Sequence, residues 1–137
     1  RYAGRVAGYD WTIGRVSYRC IRVLDWPFLA HRLAWLYVTG EWPRHGVDHR
    51  DMDGLNNRWS NLREATKIQN AHNVTVSRRN STGFKGVSLI RKSGKFRAYL
   101  SHSGRQLVLG YFDTAEAASA AYAKAAIELR GEFARVA

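Results

Sequence analysis

The stretch that most restricts the fold is residues 47–73, V-D-H-R-D-M-D-G-L-N-N-R-W-S-N-L-R-E-A-T-K-I-Q-N-A-H-N. It steps from apolar to acidic at Asp48 and His49, passes through a segment dense in Asp, Asn and Gly, and ends in a run of helical composition that carries Asn70. Short polar side chains bond nearby backbone and tolerate left-handed angles, so D-M-D-G followed by N-N reads as a loop. Thr66 is placed to cap a helix over 67–73. The order is strand, loop, strand, helix, and the rest of the chain must be built around it.

Two readings of this segment are open from the residues alone. In the first, it is a polar hairpin whose Asn and Asp side chains cap backbone groups. In the second, it holds metal-assisted phosphodiester hydrolysis. A hard divalent cation takes oxygen ligands and keeps positions for water and phosphate, so Asp48 and Asn70 could supply its protein oxygens. His49, on the opposite side of the strand from Asp48, could take a proton from the attacking water, because imidazole ordinarily titrates near neutral pH.

The runs H-R-L-A-W, T-G-E-W-P and V-D-H-R-D through N-A-H-N resemble the HNH endonuclease family, in the phage and intron-encoded homing type with a ββα-metal active site. The resemblance covers about residues 31–73. It implies that Asp48 binds the metal, that His49 is the general base, and that Asn61, in the N-L-R run, bonds across the loop to hold that histidine in orientation. It implies a second metal ligand at Asn70, so that the motif letters read H-N-N, which weakens any case for zinc with its preference for His and Cys. Mg²⁺ or Mn²⁺, one divalent ion per active site, one strand cut per site and a 5′ phosphate on the product follow from the same resemblance.

A net charge of +11, from 22 Lys and Arg against 11 Asp and Glu, points to a polyanionic partner. Phosphate contacts by basic side chains release counterions and supply most non-specific affinity for nucleic acid. Double-stranded DNA is the expected partner, with the chain a monomer or weak homodimer. The single cysteine, Cys20, cannot form an internal disulfide and is expected to fill a small apolar space, so nothing argues for secretion and a cytoplasmic setting, bacterial or phage-infected, is expected. No apolar run approaches the length of a membrane span, and no signal peptide is visible.

Ahead of the hairpin, residues 1–29 read as two or three short strands. The clearest covers 16–23, with Ser17, Arg19, Ile21 and Val23 on one face and Val16, Tyr18, Cys20 and Arg22 on the other. Such a sheet could pack beside the hairpin, or set Arg5, Arg15, Arg19 or Arg22 against a phosphate backbone. Residues 30–40 predict a short helix with Leu33, Trp35, Leu36 and Val38 largely on one side, ended by Gly40. His31 is expected to be a hydrogen-bonded structural residue and His45 to be solvated. His72 projects about 200° around the helix from Asn70, so it should not share a metal.

Beyond Val74 the composition changes. Up to Phe112 there is no Asp or Glu, whereas Arg78, Arg79, Lys85, Arg91, Lys92, Lys95, Arg97 and Arg105 are all basic. Residues 74–83 look like a linker with a basic pair. Three alternating runs, 84–90, 95–102 and 105–112, then predict an antiparallel meander. An Ala-rich helix follows, capped by Asp113 or Thr114 and running to Arg130 before Gly131.

F-K-G-V, G-K-F-R-A-Y-L, L-G-Y-F-D-T-A-E-A-A and A-A-Y-A-K-A-A make residues 81–134 similar to the Apetala-two/ethylene-response-factor DNA-binding domain. That resemblance implies a helix packed behind a sheet that enters the major groove. By position it marks Lys85, Arg91, Lys92, Arg97, Tyr99, Ser101 and Gln106 as the DNA face; separately, the basic pair Arg78 and Arg79 of the linker is expected to add DNA contacts. Ser88 and Val108 stand where the plant proteins usually have Arg and Trp, so their recognition sequence does not transfer.

The expected fold class is α+β: an N-terminal ββα-metal HNH module with accessory strands and helix, then a three-stranded antiparallel sheet packed on one helix. The expected boundaries are 1–74, a basic linker at 75–82, and 83–137. The expected function is metal-dependent DNA cleavage. The competing class is a catalytically inactive, sequence-specific DNA-binding regulator, which would have been free to lose Asp48, His49 or Asn70. An RNA-binding or recombination-associated protein is a third class, in which Phe84, Phe96 and Tyr99 could stack bases.

Overall fold

The computed structural model describes residues 5–74 and 76–136. Residues 1–4, where the N-terminal strand region was to begin, and Thr75, first residue of the expected linker, lie outside the described residues. Among the described residues the order is β1 (Tyr9–Ile13), β2 (Val16–Val23), β3 (Trp26–Leu29), α1 (Ala30–Thr39), β4 (Gly46–His49), β5 (Leu62–Ala65), α2 (Lys67–His72), β6 (Val87–Ile90), β7 (Lys95–His102), β8 (Arg105–Phe112) and α3 (Ala115–Arg130). One 3₁₀ turn, Trp59–Asn61, precedes β5, and another, Gly131–Phe133, follows α3. The class is α+β, with three small antiparallel sheets, β1-β2-β3, β4-β5 and β6-β7-β8. By its internal contacts the chain divides after Asn70 into two units.

In the first unit β1, β2 and β3 form a meander in which Trp11 pairs with Tyr18, and Cys20 with both Tyr9 and Leu29. The face carrying Tyr18 and Cys20 is the more apolar, and Cys20 is 2% exposed. The other face joins Arg19 to Asp10 at 3.1 Å and Thr12 to Ser17 at 2.8 Å. Helix α1 ends as expected at Gly40, whose φ of 77° permits its N–H to reach Leu36 O at 2.8 Å. Leu33, Trp35 and Leu36 are half-buried, but Val38 is exposed. At 100° per residue Val38 lies about 140° round the helix from Leu33, so it cannot share that stripe.

The hairpin β4–β5 pairs Asp48 with Arg63 and His49 with Leu62. The turn that follows is closed by a reciprocal cap: Thr66 Oγ1 accepts from Gln69 N–H at 3.2 Å, and Gln69 Oε1 accepts from Thr66 N–H at 2.9 Å. Satisfying two terminal donors in this way starts a short helix that propensity alone would not hold. The result is a ββα unit.

In the second unit α3 covers one face of β6-β7-β8. Ala118, Tyr122 and Ala126 recur every fourth residue and are almost fully buried against Val87, Ala98 and Leu100, with Phe84, Phe96, Leu109 and Phe112 around them. Alanine at two of these three positions brings the helix close to the sheet. Thr114, rather than Asp113, is the N-cap; its Oγ1 accepts from Ala117 N–H at 3.1 Å. Strand β6 begins at Val87, three residues later than the sequence pattern predicts. Gly86 has φ of 69°, and a Cβ there would lie 2.1 Å from the Tyr122 ring, so only glycine fits the approach. At the register shift between Ala98 and Tyr99, Leu109 is the residue of β8 without a Cα partner, and its side chain packs on the core. The segment before this sheet is locally built. Asn80 Oδ1 accepts from Thr82 N–H and Gly83 N–H, and Asn80 Nδ2 donates to Phe84 O.

Candidate active site

The described core of the first unit is as polar as it is apolar. Beside Cys20, Ala30, Leu62 and Ala65, its buried side chains are His31, Asp48, His49, Asn61 and Arg63, each 9% exposed or less. Burying so many polar groups in a small unit is costly unless they are partnered, and a protein retains such an arrangement where the groups have work to do.

Adjacent strand residues face opposite ways, and here both ways are covered. Asp48 turns toward Arg63 on the neighbouring strand, where Arg63 Nε and Nη2 both donate to Asp48 Oδ2, at 3.0 and 2.9 Å. His49 turns toward an aromatic wall. The Tyr18 ring centroid is 6.2 Å from that of His49, and the His31 ring meets it edge-on at 4.8 Å. His49 Nε2 lies 2.9 Å from Asn57 Oδ1.

Asn61 ties the loop between the strands. Its Oδ1 accepts from Asp51 N–H at 3.1 Å, its Nδ2 donates to Asp51 Oδ1 and to Asn56 O at 2.8 Å each, and its carbonyl accepts from Arg50 N–H at 2.9 Å. Asn61 therefore orders the segment just after His49 and the residue just before Asn57, and it is Asn57 that meets the imidazole. Burial acts to raise the Asp51 pKa, but donation from Asn61, Asp53 N–H and Asn56 outweighs it and holds the carboxyl below its ordinary value. Gly54 lets the loop lie against β2. A Cβ there would be 2.4 Å from Ser17 O and 2.7 Å from the Tyr18 ring. Trp59 packs against Trp35 of α1 with ring centroids 5.1 Å apart, which anchors the far end of the loop.

Asp48, His49 and Asn61 are all buried in or beside the hairpin, each with its own partners: Arg63, Asn57 and the Asp51–Asn56 loop. Asn70, the fourth residue of α2, is exposed, and its N–H bonds Thr66 O at 2.9 Å. His31 is buried as a structural residue would be, but its Nδ1 has no hydrogen-bond partner among the described residues. Burial first, then the charges of His49 and Arg32, lower its pKa from 6.5 to about 4. Sequence reasoning missed Asn57, Arg63 and Tyr18. Arg63 was visible as the partner of Asp48 only once the hairpin register was known, and nothing in the sequence set Asn57 apart from its neighbour Asn56.

In the second unit, the pairing of Ser88 and Tyr111 with Arg97, Val108 with Tyr99, and Gln106 with Ser101 puts these side chains on the sheet face away from α3. The Arg97 guanidinium lies 5.1 Å from the Tyr99 ring centroid. Arg91 and Lys92 are exposed in the β6–β7 turn, and Arg78 and Arg79 are exposed in a turn upstream. Lys85 sits differently. Its Nζ donates to His72 O at 2.8 Å and Val74 O at 2.7 Å, and burial, followed by the charges of Arg130 and Arg135, lowers its pKa to about 8.

Two clefts of about 360 and 320 Å³ share Pro27, Phe28 and Leu29, and neither is lined by Asp48, His49, Asn61 or Asn70. Among the described residues no three His, Cys, Asp or Glu side chains are grouped to hold a metal. Among them, too, no helix is long and apolar enough to cross a membrane.

The ββα unit, with Asp48 and His49 buried on β4 and Asn61 tying the loop, is the part of the chain the comparisons single out. The model of the HNH endonuclease family matches residues 28–72. An uncharacterized HNH endonuclease, L560, from Acanthamoeba polyphaga mimivirus is 34% identical over 130 residues, 94% of this chain and 67% of that protein. Protein 3.8 of Escherichia phage T7 is 30% identical over 106 residues, 77% of this chain and 87% of that protein. The chain belongs to the HNH endonuclease family, whose members generally depend on a divalent metal. It is also similar to APETALA2-like protein 2 of Oryza sativa subsp. japonica, 43% identical over 54 residues, which are 39% of this chain but only 12% of the rice protein's length. No solved structure matches the chain.

Proposed function

We propose that this nuclease hydrolyses phosphodiester bonds of double-stranded DNA with one divalent ion, and that the sheet of its second unit holds the substrate. The observation that carries the reading is the buried pair of neighbours on β4: a carboxylate gripped by Arg63 and an imidazole gripped by Asn57. Asp48 and Asn70 offer a carboxylate and an amide oxygen. This donor set fits a hard cation such as Mg²⁺ or Mn²⁺ and leaves the remaining positions to water and phosphate oxygens. Such an ion, when bound, supplies charge stabilisation at the phosphate and the leaving oxygen. His49 takes the proton of the attacking water. Asn61 keeps the loop, and through it the imidazole, in register. One strand is cut per site and the product carries a 5′ phosphate.

Arg91, Lys92, Arg97, Tyr99, Ser101 and Gln106 form the DNA face, with Arg78 and Arg79 as phosphate contacts from the upstream turn and Lys85 at the border of the sheet. What supports this is their shared face or turn, the absence of acidic residues from 74 to 112, and the match to the rice protein. Phosphate contacts set affinity and register, while base-edge contacts from the sheet set specificity. Removing one phosphate contact, as in Arg78→Ala, lowers the slope of log affinity against log salt by about 1.

The decisive experiment is plasmid cleavage with Mg²⁺ or Mn²⁺, alongside His49→Ala and an EDTA control. Nicked or linear product that disappears in both controls, while His49→Ala still shifts DNA, supports the reading. A protein that shifts DNA yet cuts no substrate with any metal tried is instead a DNA-binding regulator that keeps the hairpin as scaffold.

A further inference from the structure

The hydrogen bond between His49 and Asn57 decides which imidazole nitrogen carries the proton. Asn57 is fixed by its own neighbours: its Nδ2 donates to Leu55 O at 3.3 Å, and its backbone N–H donates to the same oxygen at 3.1 Å. That anchoring turns the amide so that Oδ1, and not Nδ2, meets His49 Nε2 at 2.9 Å. A carboxamide oxygen only accepts, so the proton of this bond sits on Nε2, and in a neutral imidazole the lone pair is then on Nδ1. The Tyr18 and His31 rings flank the imidazole, so its rotation is restrained as well as its tautomer.

We infer that Asn57 is a positioning residue for the nuclease reaction. It holds His49 as the Nε2–H tautomer and thereby makes Nδ1 the nitrogen that accepts the proton from water. This rests on the reading of His49 as general base. In the step, a water O–H bond breaks as the new O–P bond forms, and the water proton goes to Nδ1. The Nε2–H stays bound to Asn57 Oδ1, whose partial negative charge favours the imidazolium as it forms. The P–O3′ bond then breaks, the leaving oxygen takes a proton from solvent, and the imidazolium returns its own to solvent. Asn61 acts one residue away: its Nδ2 holds Asn56 O, so it places the backbone from which Asn57 reaches the ring.

The test uses the full chain with selectively ¹⁵N-labelled histidine. Long-range ¹H–¹⁵N correlation spectra without DNA or metal report the protonated nitrogen of His49 directly. Wild type should show Nε2–H. Asn57→Ala should lose that preference and lower kcat on plasmid DNA by about 10–100-fold, the usual loss when the partner orienting an imidazole is removed, with KM and melting temperature little changed. Asn57→Asp retains an acceptor oxygen and should restore both the tautomer and most of kcat. A wild-type His49 protonated on Nδ1 overturns the inference whatever the activity. So does an Asn57→Ala protein with unchanged kcat when His49→Ala abolishes cleavage. If His49→Ala cleaves normally, the general-base reading itself fails, and the role of Asn57 fails with it.

Discussion

Replacing Arg63 by Met removes the guanidinium but keeps most of its apolar stem, and leaves the Asp48 carboxylate buried without its charged neighbour. Each member of the pair is 6% exposed, and two N–H groups converge on one oxygen at 2.9–3.0 Å. An exposed ion pair is worth about 0–1 kcal/mol. Breaking a buried one by deleting a single partner costs about 3–5 kcal/mol, because the remaining charge stays out of water. The second outcome is expected here, a loss comparable to the whole stability of a small domain. Urea denaturation followed by tryptophan fluorescence reads the first unit alone, since all five tryptophans, at positions 11, 26, 35, 42 and 59, precede residue 70. Asp48→Leu should be damaging for the mirror-image reason. The double variant Asp48→Leu/Arg63→Met should be more stable than either single one, because apolar replacement of both removes the buried charge together with its ion-pair partner. A loss below about 1 kcal/mol for Arg63→Met, or simple additivity in the double variant, would refute the argument that this pair is buried and coupled.

Three further outcomes follow from the geometry. His31 has a folded-state pKa of about 4 against an ordinary 6.5, so the unfolded chain binds the proton more readily. Its contribution to stability is intact above pH 6.5 and declines by up to ~3 kcal/mol as pH falls toward 4; melting curves of His31→Phe should be flatter over that window than those of wild type. Gly86→Ala sets a Cβ 2.1 Å from the Tyr122 ring at a left-handed backbone position, and should destabilise the second unit by about 2 kcal/mol or more, read by circular dichroism; a neutral result would show that Tyr122 can move aside. Thr66→Ala removes the hydroxyl half of the cap on α2 and should cost about 1 kcal/mol, with the helical signal of residues 67–72 lost first in hydrogen exchange.

Much of the architecture was legible because local chemistry dictates it. The Asp, Asn and Gly of the hairpin loop, Gly40 after α1 and the alternation along β7 and β8 each act within a few residues, and these elements fall where their composition puts them. The boundaries that shifted did so for non-local reasons. Strand β6 starts late because Gly86 must pass under Tyr122, a residue far along the chain. The candidate site was legible to the same extent. Asp48, His49 and Asn61 stood out by type and spacing, whereas Arg63 and Asn57 did not, because their roles depend on strand register and on which of two adjacent asparagines meets the imidazole.

The sequence by itself determined the order of elements, the basic character of the segment from 74 to 112 and the set of side chains able to do nuclease chemistry, because composition and short-range spacing are properties of the chain before it folds. Only the tertiary structure decided that Asp48 and His49 are both buried, that opposite faces of one strand meet Arg63 on one side and Tyr18 with His31 on the other, and that Asn57 reaches the imidazole. Those contacts join residues distant in sequence, and burial, which is what gives a charge or a hydrogen bond its strength, exists only after the elements have packed.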